Sequence, residues 1–207
     1  MWQERLSEFV TLFVVLNPIA AIPVFLATAS GLEAPQQRKV ALQAVLVSLG
    51  VLLFFIFAGG FLLKHMGIAM RAFQIAGGIV LFMFAVTMVI GHMVPQATSG
   101  DDKQSTFARA VYPLAIPKIA GPGAMLTVML LTDDDRFSML EKTMTVGVLV
   151  LVLAIQLAVL LLAVPIARFL GEGGANVISR VFGMLLAALA VNIVITTLAD
   201  WLGLPKL

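Results

Sequence analysis

Six apolar runs fix what this chain can fold into: Phe9 to Leu32, Val40 to Leu63, Ala72 to Gly91, Ala110 to Thr132, Thr143 to Ala167 and Val181 to Ala199. A helix needs about 20 predominantly apolar residues to cross roughly 30 Å of hydrocarbon, and every run reaches that scale, the sixth only just. Lys118, in the fourth, is the only full charge inside them. A mean hydropathy of +1.07 with 12% charged residues leaves too little polar surface to cover a soluble core. Lipid offers backbone groups no partners, so spans must be helices or a closed barrel, and the alternation of barrel strands is missing here. The expectation is an all-α integral membrane protein with six transmembrane helices.

The rest of the composition narrows the function classes. The absence of cysteine excludes a disulfide framework and a thiolate metal site. A net charge of +2 is too small to point to nucleic acid. Glu4, Arg5 and Glu8 precede a long first run that contains Pro18, whereas a cleaved secretory signal has a basic start and a shorter apolar core; a retained span is expected. Intramembrane catalysis would need a nucleophile with its base, a carboxylate pair or metal ligands within the spans. His65 and His92 flank span ends and no Asp or Glu falls inside a run, so neither an enzyme nor a cofactor is expected.

The longest polar stretch, His92 to Thr106, reads as a solvated linker and divides the chain into residues 1–91, a linker over 92–109, and residues 110–207. Sliding one half over the other by 104 positions lays Pro18 on Pro122, Ala20 on Ala124, Val24 on Val128 and Thr28 on Thr132. Gly77 and Gly183 pair after a shift of two more. Three spans per half force the second copy to enter the membrane from the opposite side, giving two inverted three-helix repeats as in many secondary transporters.

The matched prolines bear on mechanism. The first span is interrupted at Asn17-Pro18 and again at Pro23, and the fourth by Pro113, Pro117, Gly121, Pro122 and Gly123. Proline removes an amide donor and blocks the preceding turn, so both spans are expected to break near the midplane. Irregular backbone at that depth persists only where protein or a water-filled cavity satisfies it, and half-helix amino termini can receive an anionic group. The expected substrate site is therefore lined by Asn17, Pro18, Ile19, Gly121, Pro122 and Gly123, with Asn192 nearby. The other reading, that proline merely kinks a packing helix, stays open.

Lys118 has two readings. It is a counter-charge for a substrate carboxylate or a coupling group, or it snorkels to the interface from a re-entrant segment. Gln43, Ser48, Gln74, Thr87, Thr127, Gln156, Asn192, Thr196 and Thr197 are expected mostly to bond across helices. Ala188, Asn192 and Thr196, at i, i+4 and i+8, share one helix face. Gly77, Gly78 and Gly183 fit the rule that small residues allow close helix approach.

The stretch Leu16-Asn17-Pro18-Ile19-Ala20-Ala21-Ile22-Pro23-Val24-Phe25 resembles the first-span signature of the MarC family of bacterial membrane proteins. Pro113 to Ala124 is similar to its fourth-span signature, and Phe73 to Gly78 and Arg180 to Ala188 to its third and sixth spans. The resemblance implies six spans in the bacterial inner membrane with both termini periplasmic. It also implies kinship with LysE-type small-molecule exporters, some members being described as transporters of neutral amino acids such as alanine and glycine. Lys118 and Asn192 depart from the leucine and glutamine commoner at those positions.

Charge does not choose an orientation. Arg38, Lys39, Lys103, Arg109, Arg168 and Arg180 fall on one side, and Arg5, Lys64, Arg71, Arg136, Lys142 and Lys206 on the other. The expected function is secondary transport, as an exporter of small neutral amino acids or similar solutes. The expected partners are a small-molecule substrate and membrane lipid, with homo-oligomerisation left open. A channel, or a membrane partner of another protein, is the alternative.

Overall fold

The computed structural model describes residues 2–90, 105–133 and 138–204. All regular structure among them is helical. Most of the polar linker, including Pro95 to Lys103, lies outside the described residues.

Helix α1 (Trp2–Leu16) ends where Pro18 disfavours helical geometry in the residue before it. That residue, Asn17, takes a left-handed conformation with φ 46° and accepts the Ala20 N–H on its Oδ1 at 3.1 Å. Asparagine is one of the few non-glycine residues at home there. The chain resumes as α2 (Ala21–Thr28), bent 43° from α1. Pro23 sits in the first turn of α2, where its missing N–H has no intrahelical acceptor to lose.

Helix α3 (Ala34–His65) opens on a capping box in which Glu33 and Gln36 bond each other's backbone amides. Its 32 residues extend about 48 Å at 1.5 Å each, beyond the hydrocarbon on at least one side. Gly67, at φ 68°, makes the turn into α4 (Met70–Ile90).

The second half begins with the short α5 (Thr106–Arg109), capped by Ser105, whose hydroxyl accepts the Ala108 N–H at 3.2 Å. The chain then runs through an irregular, wide-turned segment, Ala110–Ile119. Tyr112 (φ −125°, ψ 128°) and Ile116 (φ −126°, ψ 123°) are extended because each precedes a proline. Helix α6 (Pro122–Leu131) restarts with Pro122 in its first turn, 57° from the approach segment. Helix α7 (Met139–Leu161) has its own capping box, Ser138 with Glu141. Helix α8 (Ala163–Leu202) stops at Gly203, φ 67°.

Among the described residues, four helical stretches are long and apolar enough to cross a membrane: α3, α4, α7 and Arg180–Leu202 of α8. Counting each bent pair as one span gives up to six. The fifth run was expected to continue to Ala167, but the chain turns at Leu162, ahead of Pro165, and α8 begins at Ala163. A proline in the first turn of a new helix is the favoured arrangement, and one inside α7 would have broken it.

Leu12, Leu16, Ile22, Leu52, Leu81, Leu114, Leu126 and Leu153 are fully buried at the centre. Phe54, Phe57, Phe61, Met83, Leu151 and Leu185 point outward, as lipid-facing side chains do. The most extensive packing is α4 on α8. A Cβ at Gly78 would meet Val194 at 2.7 Å and the Ala190 carbonyl at 3.3 Å, and one at Gly183 would meet Met88 at 2.9 Å and the Ala85 carbonyl at 3.2 Å. Contact numbers rise on one helix as they fall on the other, so α4 and α8 run antiparallel. Gly77 is pressed likewise against Leu126 of α6.

The hydroxyls correct an expectation. Ser48, Thr87, Thr127 and Thr196 bond carbonyls of their own helices, at i−3 or i−4. Their side chains are short, and the nearest acceptor is the previous turn. Thr197 also bonds its own turn, but it crosses from α8 to donate to Gln74 Oε1 at 3.1 Å.

Candidate functional site

The two breaks meet in the packing. Helix α1 lies on α6, and α2 lies on the Ala110–Ile119 segment. Asn17 is 1% exposed and its Nδ2 has no hydrogen-bond partner, while its Oδ1 is engaged by Ala20. Pro18 is buried beside it and Ile19 half-buried. Thr28 and Thr132, 104 positions apart, make the same bond at the far end of each broken span: Thr28 Oγ1 donates to the Val24 carbonyl at 2.7 Å, and Thr132 Oγ1 to the Val128 carbonyl at 2.6 Å.

At the fourth-span break the chain encloses a cavity of about 20 Å³, room for one water-sized atom. Its walls are Val15 of α1, Val80, Leu81 and Phe84 of α4, and residues 117–119 and 121–124 of the break. Lys118 belongs to this lining. It is 7% exposed, its Nζ has no hydrogen-bond partner, and it stands 5.8 Å from the centre of the Phe84 ring. A cation over an aromatic face gains some stabilisation, about 2 kcal/mol or more when desolvated, yet the ammonium keeps three unused donors.

The backbone adds two more donors. The first helical bond of α6 runs from the Met125 N–H to the Gly121 carbonyl at 3.0 Å, so the Gly123 and Ala124 amides precede it without intrahelical acceptors. The glycines make this approach sterically possible. A Cβ on Gly121 would strike the Pro117 carbonyl oxygen, and one on Gly123 would strike Leu81.

The sequence-derived residues are thus only partly gathered. Gly121, Pro122, Gly123 and Lys118 line one cavity; Asn17, Pro18 and Ile19 stand behind Val15 outside its lining. Asn192 lies on the outward face of α8 with Ala188 and Thr196 and takes no part in the lining. Lys118 is buried, which goes against its reaching the interface.

A second polar cluster was not foreseen. Glu8, 7% exposed, is held by Arg5 at 2.8 Å and receives the Thr145 hydroxyl at 3.4 Å, tying α1 to α7. The counterpart of Arg5 by the 104-residue shift is Arg109, which reaches the Thr28 and Ser30 carbonyls at 3.4 and 3.5 Å. The coincidence of Arg5 with Arg109 under that shift was the available signal. A larger groove of about 380 Å³ between α1 and α7, lined mainly by Leu6, Phe9, Val148 and Leu151, shares no residue with either break.

Comparison with known proteins bears on what this architecture belongs to. Residues 2–202 match the MarC family integral membrane proteins. A UPF0056 membrane protein of Aquifex aeolicus is 31% identical, covering 97% of each chain. One from Pyrococcus abyssi is 32% identical over 95% of this chain and 94% of its own. The UPF0056 inner membrane protein YhgN of Escherichia coli is 28% identical over 96% and 98%. No solved structure matches. With helices of membrane length, two proline-broken segments and a match running from α1 to the end of α8, the chain belongs to the MarC family of integral membrane proteins.

Proposed function

We propose that the protein is a secondary transporter that exports small neutral amino acids or similar solutes across the bacterial inner membrane. In this reading it has six spans arranged as two inverted three-helix repeats, with both termini periplasmic. The observation that carries the proposal is the cavity at the fourth-span break, lined by buried Lys118 and by the first residues of α6, whose amides have no intrahelical acceptor. Discontinuous helices with amino-terminal dipoles facing a buried space are how carriers of this architecture hold solutes.

The packing supports the repeat. Exchanging the halves turns α1 on α7 into the Ala110–Ile119 segment on α3, and α1 on α6 into that segment on α2; all four pairings occur. The antiparallel α4 and α8 fit the same operation, as do the capping boxes that open α3 and α7. The inner-membrane placement agrees with the name of the Escherichia coli relative.

The test is flux of radiolabelled alanine or glycine in vesicles reconstituted with the purified protein. Saturable, gradient-dependent exchange is expected, reduced at least tenfold by Gly121→Leu, which fills the break. An ohmic conductance without saturation would replace the carrier by a channel, and no protein-dependent flux of any small amino acid would end the proposal.

A further inference from the structure

Among the described residues, Lys118 is a cation buried at a span break with no polar contact, and this demands a partner. A lysine at membrane depth is costly unless water or a counter-charge receives it. The Phe84 ring is a weak substitute. The cavity beside it is walled mainly by apolar side chains, with Lys118 in its lining, and the Gly123 and Ala124 amides at the start of α6 have no intrahelical acceptor. An unpartnered ammonium beside a helix amino terminus, whose dipole favours negative charge, is complementary to an anion.

We propose that the Lys118 ammonium and the amino terminus of α6 form a site for a monovalent anionic group, a carboxylate oxygen of the transported solute or a free halide. The identification with the solute rests on the transport reading above; the anion site itself does not. The volume of about 20 Å³ has room for one oxygen or halide. Gly123 is what lets the amides reach the ligand, since a side chain there would collide with Leu81. Pro122, without an N–H, starts the helix and keeps the next two amides unencumbered.

The experiment is thermal unfolding of the purified full-length protein at constant ionic strength, with methanesulfonate, much bulkier than chloride, as the balancing anion. Chloride, glycine and glycinamide are titrated separately against wild type, Lys118→Leu, Lys118→Met and Lys118→Arg. Saturable stabilisation of wild type by glycine but not glycinamide identifies the carboxylate; stabilisation by chloride alone identifies the halide. In either case both neutral variants should raise the apparent Kd at least tenfold, and Lys118→Arg should retain the response. Two neutral variants guard against one failing to fold. Equal responses in wild type and neutral variants, or none in either, overturn the site whatever the vesicles show. Lys118-dependent binding without flux instead overturns only the transport reading.

Discussion

Asn17 shows how much one residue contributes at a break. Its φ of 46° would cost an alanine about 1 to 2 kcal/mol, and its Oδ1 holds the Ala20 amide that starts the onward chain. Asn17→Ala should therefore lower stability by about 1 to 3 kcal/mol, and Asn17→Gly by less, because glycine tolerates the backbone but loses the bond. Denaturation of the two variants in the same micelle checks the order; equal losses would mean that the left-handed backbone contributes nothing. Of the residues named from sequence, the proline and glycine positions were legible because their backbone limits are intrinsic. The burial of Glu8 was not. A charged residue marks the end of an apolar run, and only the fold brings Arg5 and Thr145 to it. The outward position of Asn192 was not legible for a similar reason: helical spacing gives its face, not which way that face turns.

At the scale of elements, the two third spans carry the clearest expectation. Gly183 lies against Met88 and the Ala85 carbonyl, while Gly147 of α7 has nothing within 4 Å of where a Cβ would stand. Gly183→Ala should destabilise, because backbone cannot yield as a side-chain tip can. Gly147→Ala should be neutral or stabilise by about 0.5 to 1 kcal/mol, the ordinary gain of alanine over glycine in a helix interior. Thermal midpoints of the two variants test this directly, and a stabilised Gly183→Ala would refute the packing. The helices themselves were legible from hydropathy alone. The turn at Leu162 was not, since uninterrupted apolar sequence carries no boundary of its own. Nor were the partners of the hydroxyls, which depend on reach within a turn rather than on polarity.

For the whole molecule the proposed inverted arrangement makes a topological demand. Helices α3 and α7 open at Ala34 and Met139, both exposed, and should do so on opposite faces of the membrane. The chain has no cysteine, so Ala34→Cys and Met139→Cys each supply a single label. An impermeant maleimide applied to intact cells should modify Met139→Cys, on the periplasmic face, and spare Ala34→Cys. Labelling of both from one side would exclude inversion, and the reverse pattern would place the termini in the cytoplasm.

The halves are alike in backbone but unlike in charge. Val14 stands 104 positions before Lys118, so only the second half carries a cation beside its break. Under the transport proposal, alternating access rocks one half against the other around the site between them. An anionic solute would then meet a lysine-lined doorway in one state and a valine-lined one in the other. Half-saturation concentrations measured from the two faces of the same vesicle should consequently be unequal.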